Sequence, residues 1–169
     1  MQSITDLGTG NFFIYSEDIT ERIQNEDMLK NNLEILTLGE EIASLGYFER
    51  NWQTGIGFWS SGFFKLLGET HETVDCTHEE FTRYVHPEDI QRIEDYIKTS
   101  LKNHTDLNTE FRLIQANGNV LHIHGIGRNF YDEKGNPLKT IGTFQDITNQ
   151  KKAENQIKEN EAKFRSYVD

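Results

Sequence analysis

The sequence predicts an α+β domain: one antiparallel sheet of five strands with helices on one face, flanked by N- and C-terminal linker helices. Three observations lead there. Three strand-like runs separated by short turn signals follow one another between Leu107 and Ile147. An amphipathic helix opened by Pro87 precedes them. Earlier still, two short β-like runs flank the turn signal Gln53-Thr54-Gly55.

Taken in chain order, Phe12 to Tyr15 reads as a short strand that runs into Asp18-Ile19-Thr20. The same tripeptide recurs as Asp146-Ile147-Thr148, again after a β-like run, Thr140 to Phe144, and again before a polar helix. The separation equals one domain plus one connecting helix, as in a tandem array cut at both ends. Between Glu21 and Ser44 the pattern is helical. Met28, Ile35 and Ile42 repeat at seven, with Leu29, Leu36 and Ala43 beside them. That stripe fits the seam of a short parallel coiled coil, and equally an amphipathic helix packed on its own domain. Gly39 costs such a helix about 1 kcal/mol, so a break is expected there.

The central unit begins at Leu45. Gly46 to Phe48 and Ile56 to Ser60 are the first two strands. Phe63, Phe64, Leu66 and Leu67 form a brief helix ended by Gly68, and Glu79 to Val85 forms a second. In the Pro87 helix, Glu88 and Asp89 suit the positive end, Lys98 and Lys102 the negative end, and Ile90, Ile93, Ile97 and Leu101 one apolar face. The run from Leu107 to Gln115 alternates, with Phe111 and Leu113 opposite Glu110 and Arg112. Asn117-Gly118 predicts a two-residue hairpin turn with positive φ at both positions. Val120 to Tyr131, a turn at Glu133 to Asn136, and Leu138 to Ile147 complete the sheet.

Composition limits the function. The net charge of −11 argues against a nucleic-acid or anionic-membrane binder, since both need a basic patch. From Glu69 to Asp95, nine acidic residues stand against Arg83 and Arg92, a stretch expected to be a solvated helical face. The single cysteine, Cys76, excludes an internal disulfide and a zinc site of several thiolates. No run approaches the roughly 18 apolar residues of a membrane span, and the start has no basic-then-apolar leader, so a cytoplasmic fragment is expected. No phosphate-binding glycine loop, nucleophile elbow or Ser/His/Asp set is present, so the fragment is not expected to be an enzyme.

Gly46-x-Phe48, Thr54-Gly55, Trp59-Ser60, and Phe81 through Val85-His86-Pro87-Glu88-Asp89 come in one order with Glu110-Phe111-Arg112 and Asn117-Gly118. Asp132-Glu133-x-Gly135-x-Pro137 then leads into Gly142-Thr143-Phe144-Gln145-Asp146-Ile147-Thr148. Together these residues resemble a PAS domain with its C-terminal PAC motif, over about Leu45 to Thr148. The resemblance implies four segments. Residues 1–20 would end a preceding PAS domain, 21–44 would connect, 45–148 would be the PAS domain, and 149–169 would lead to a next domain. It also implies a slice of a multi-PAS sensor, typically a bacterial or archaeal histidine kinase and less often a diguanylate cyclase. His122 and Phe48 stand where many relatives carry Trp, which bears on what the cavity holds.

Relatives bind small molecules between the sheet and the long helix. The inward-facing candidates are Phe64, Phe81, Tyr84, Ile97 and Phe111, with His122 as a polar contributor. No cofactor is assigned. The long helix lacks the internal His that haem-binding relatives use, and Cys76 lacks the Asn, Arg and Gln neighbours of flavin photoreceptors. Its acidic neighbours are expected to raise the thiol pKa. His122 and His124 share a strand face, yet no third ligand is fixed among Cys76, Asp75 and His71, so no metal is assigned. The resemblance makes Asp146, Ile147 and Thr148 the relay junction, with Asp and Thr suited to satisfying free N–H groups at a helix start. Met28, Ile35 and Ile42 would form a homodimer seam. Expected partners are neighbouring PAS and kinase output domains and a small-molecule ligand, or none if the module is a ligand-free spacer.

Overall fold

Alternation and turn chemistry together set the central sheet. In the computed structural model, which describes residues 3–6, 12–15, 20–70 and 74–168, five strands run in the order β4-β3-β7-β6-β5, every neighbouring pair antiparallel. Side chains are described for 22–70 and 74–165. The strands are β3 (Leu45–Asn51), β4 (Gly57–Trp59), β5 (Leu107–Ile114), β6 (Val120–Tyr131) and β7 (Pro137–Asp146). The helices α2 (Ser61–Leu67), α3 (His78–Tyr84) and α4 (Pro87–Asn103) lie between β4 and β5 in sequence. A final helix, α5 (Thr148–Val168), follows β7 almost at once.

The chain forms two compact units, residues 1–38 and 39–169. In the first, β1 (Ser3–Asp6) pairs antiparallel with β2 (Phe12–Tyr15). Asp18 and Ile19 of the repeated tripeptide lie outside the described residues, as does His71. Helix α1 spans Thr20–Ile42. It is continuous through Gly39, whose carbonyl accepts from Ala43 N–H at 3.0 Å, so the expected break is absent. A single glycine penalty of about 1 kcal/mol does not end a helix of 23 residues.

Each central helix carries its own start and stop signals. Ser60 Oγ accepts from Phe63 N–H, and Gly68 ends α2 in the left-handed region at φ 73°. Thr77 Oγ1 accepts from Glu80 N–H to start α3. His86 Nδ1 accepts from Glu88 N–H to start α4, with Pro87 at the first helical position.

The β5–β6 turn departs from the two-residue form. Gln115 N–H donates to Asn119 O and Gly118 N–H donates to Gln115 O, both at 2.8 Å. Gly118 has φ 86°, whereas Asn117 is not in the positive-φ region. This is a three-residue loop, a tight turn followed by a left-handed glycine, and Asn117 Oδ1 braces it from Asn119 N–H. The β6–β7 loop repeats the design with Gly135 at φ 83°.

The core sits between the sheet and α2 to α4. Phe63, Leu67, Leu113 and Ile123 are fully buried, and Phe144 is the hub. Its ring stacks on Phe48 at 4.5 Å and on Phe81 at 5.4 Å, and meets Phe63 at 5.0 Å and Phe111 at 5.4 Å between centroids. Two glycines make room for these rings. A Cβ on Gly125 would lie 2.9 Å from Phe144, and one on Gly46 would lie 2.5 Å from the Phe63 backbone.

Candidate functional site

Strand parity decides what faces the helices. On β3, Gly46 and Phe48 pack inward, so Arg50, two positions on, points the same way. On β7 the inward positions are Thr140 and Phe144; on β6 they are Ile123, Gly125, Gly127 and Asn129. Between this face and α3 and α4 lies a cavity of about 70 Å³. Phe48, Phe81, Phe111 and Phe144 form its aromatic wall, with Ile93 and Ile97 of α4 opposite. Its polar end is built from Arg50, Trp52, His78 and Thr140.

At that end, the Arg50 guanidinium lies 3.7 Å above the centroid of the Trp52 ring. Trp52 Nε1–H donates to Thr140 Oγ1 at 2.8 Å, and Thr140 Oγ1–H donates to Asn129 Oδ1 at 2.6 Å. Asn129 Nδ2 in turn donates to Ser100 Oγ at 3.0 Å and Thr105 O at 2.8 Å. The polar line is thus satisfied from the cavity to the end of α4. Arg50 is different: its Nε is buried and finds no acceptor among the described residues. A buried donor left unmade costs about 1–3 kcal/mol. Burial lowers the Arg50 pKa to about 10, against the pull of Glu94. Glu94 is itself held by His78, whose Nε2 lies 2.5 Å from Glu94 Oε1. Burial, then the nearby Arg50 charge, lower the His78 pKa, and Glu94 opposes both.

Of the residues named from sequence, Phe81, Ile97 and Phe111 line this cavity. Phe64, Tyr84 and His122 lie away from it. Phe64 is buried against Trp59, 5.7 Å between ring centroids. Tyr84 turns its hydroxyl to Glu69 Oε1 at 3.1 Å, and its pKa is pushed up to about 12 by burial and Glu69. His122 is exposed on the outer face of β6, opposite Ile123, and His124 beside it reaches Asn108 Oδ1 at 2.8 Å. Cys76 lines the cavity, and burial, more than Asp75, raises its thiol pKa. Among the described residues, no group of three His, Cys, Asp or Glu side chains is placed to hold a metal ion, and no helix is long and apolar enough to cross a membrane. Sequence reasoning missed Arg50, Trp52 and Thr140. Inward parity from Phe48 is the signal that would have found Arg50.

The acidic stretch is also more engaged than a solvated face. Asp89, Glu80 and Glu94 are paired with Arg112, Arg83 and His78 respectively.

Asp146, Ile147 and Thr148, the residues expected to form a relay junction, lie at the end of β7 and the start of α5. Asp146 Oδ1 accepts from Thr148 N–H at 2.8 Å, and Ile147 is buried. The Thr148 hydroxyl does not cap a helix N–H. It accepts from His122 N–H of β6 at 2.9 Å, while Ile147 N–H donates to His122 O at 2.8 Å. The β6–β7 pairing is thereby carried two residues past the strand. On the other side, Asp146 N–H donates to Ser44 O at 3.0 Å.

Comparison with known proteins follows the same outline. A family model described as "PAS fold" matches residues 56–144. The probable diguanylate cyclase DgcE of Escherichia coli (strain K12) is 28% identical over 142 residues, 83% of this chain but 13% of that protein. The chain thus spans a small part of that relative's length. Among solved structures, a sensory box histidine kinase/response regulator from Burkholderia thailandensis E264 matches with a TM-score of 0.65 at 24% identity, covering 78% of this chain and 98% of that one. The N-terminal domain of a diguanylate cyclase with PAS/PAC sensor from Marinobacter aquaeolei matches with a TM-score of 0.58 at 20% identity, covering 63% and 97%.

Proposed function

This chain belongs to the PAS fold family, and on that premise we propose that it is a sensory and signal-relay module in which a small molecule in the cavity biases the start of α5 through β7. The observation that carries this reading is that one strand serves both sites. Thr140 and Phe144 of β7 line the cavity, and Asp146 stands two residues beyond Phe144. A shift of Phe144 against its four ring partners therefore acts on the hydrogen bonds of Asp146, Ile147 and Thr148. In this reading residues 1–20 end a preceding PAS domain, 21–44 connect, 45–148 sense, and 149–169 lead to an output domain. The output is a histidine kinase, with a diguanylate cyclase the alternative that the E. coli relative favours. Asp146→Ala in the parent protein tests the relay. Faster amide exchange in the first turns of α5 and a blunted output response are expected; unchanged exchange with unchanged output overturns it.

A second reading, a dimerising spacer, is favoured by α1. Met28, Leu29, Ile35, Leu36 and Ile42 are all exposed along that helix. A second copy of this chain, joined along Met28, Ile35 and Ile42, would cover them. Native mass spectrometry of protein purified without added ligand separates the two: a mass above the bare chain supports the sensor, and a bare dimer supports the spacer.

A further inference from the structure

We propose that the cavity is a receptor site for a small organic monocarboxylate, held by its carboxylate on Arg50 and by its apolar body against the aromatic wall; this rests on the sensory reading above and names its ligand class. Three observations converge on it. First, the Arg50 side chain lines the cavity and its buried Nε has no acceptor among the described residues, although Trp52, Thr140 and Asn129 of the polar line beside it are satisfied. Guanidinium offers Nε–H and a neighbouring N–H along one edge, the geometry that takes both oxygens of a carboxylate. Second, among the described residues, the neighbouring carboxylates Glu94 and Glu49 have partners of their own. Glu94 is held by His78. Glu49 points to the other face of β3, where the Tyr47 hydroxyl and Lys139 Nζ reach it at 3.3 and 3.4 Å. Third, away from that polar end the wall is mainly apolar, from Phe48 and Phe144 on the sheet to Ile93 and Ile97 on α4.

Size and charge narrow the class. A cavity of about 70 Å³ is smaller than the roughly 150 Å³ that admits benzene, so it suits about three to five non-hydrogen atoms. Inorganic phosphate fits poorly, because the mainly apolar wall away from Arg50 offers its remaining oxygens few donors. A short fatty acid such as propionate presents one anionic end to Arg50 and a short alkyl end to Phe81 and Ile97.

The test titrates the whole 169-residue chain with propionate, propionamide and inorganic phosphate at equal ionic strength. Fluorescence of Trp52 and Trp59, the two tryptophans of the chain, reads binding from the cavity wall. Propionate is expected to bind at least about tenfold more tightly than its amide, with no phosphate response; Arg50→Gln removes the preference and Arg50→Lys weakens it. Equal binding of acid and amide, a preference that Arg50→Gln leaves intact, or no propionate binding overturns the proposal. Should Arg50→Gln not fold, the acid-to-amide ratio of the unaltered chain and Arg50→Lys decide the matter. Amide exchange of α5 in the same samples separates the two readings. Equal binding of acid and amide that still alters α5 overturns the carboxylate and leaves the relay. Arg50-dependent propionate binding that leaves α5 unchanged supports the carboxylate and overturns the relay.

Discussion

Arg112 grips Asp89 three times: its backbone N–H and Nε donate to Oδ2 at 2.9 and 3.0 Å, and Nη2 donates to Oδ1 at 2.9 Å. The pair joins the first turn of α4 to β5, and Asp89 is buried there. The Arg112 hydrogen bonds, opposed by burial, lower the Asp89 pKa from 3.8 to about 2. A carboxylate depressed in the folded state stabilises the fold above its unfolded pKa and loses that contribution as pH falls through the folded value. The window is therefore pH 4 down to pH 2. Discounted for the partly solvated guanidinium, the loss is on the order of 1–2 kcal/mol. Urea unfolding of the wild type is expected to weaken across this window by about that much more than unfolding of Asp89→Asn.

Gly46→Ala and Gly39→Ala should move stability in opposite directions. A methyl at Gly46 meets the Phe63 backbone at 2.5 Å, and neither strand nor helix yields cheaply, so about 3 kcal/mol is lost. At Gly39 nothing lies within 4 Å, and alanine favours the helix by about 0.5–1 kcal/mol. Paired denaturation curves check both signs.

Asp146→Ala removes the acceptor for Thr148 N–H at the start of α5. A loss of about 1 kcal/mol is expected, as for other side chains that satisfy helix-start N–H groups. Asp146→Asn keeps an acceptor oxygen and should retain most of the stability in the same measurement.

The stripe on α1 predicts a concentration-dependent dimer. Sedimentation equilibrium of the whole chain should show it, and Ile35→Asp should shift the chain to monomer. A chain that is monomeric at high concentration before and after the change rules out the spacer reading.

How far the sequence alone reached depended on how regular the alternation was. Phe111 and Leu113 alternate cleanly with Glu110 and Arg112, and β5 was legible with its inner face. On β6 the signal inverts. The inner positions Gly125, Gly127 and Asn129 are small or polar, while Ile126 and Phe130 are exposed on the outer face. Glycine is needed there because Phe144, Phe111 and Leu107 occupy the space a side chain would take. Beyond Ile123, hydrophobicity therefore points the wrong way along that strand, and the expectation of an inward His122 fails because it falls on the outer face. Arg50 was missed for a related reason. A charged residue on a short strand reads as a surface position, whereas parity with Phe48 carries it inside. Asp146 was legible because its acceptor acts two residues away in sequence. The Thr148 hydroxyl bond to β6 was not, since it spans 26 positions.

The 3.0 Å bond from Asp146 N–H to Ser44 O has a consequence for how such a module is traded between proteins. The strand that begins the central unit and the strand that ends it are sheet neighbours, so the chain leaves beside the point where it entered. The central sheet is thus a unit whose first and last strands already touch. Cutting it out and joining residue 44 to residue 147 would fuse one helix to the next across a gap that needs no spacer. Swapping in another sensor of the same build would preserve the spacing of everything before and after it.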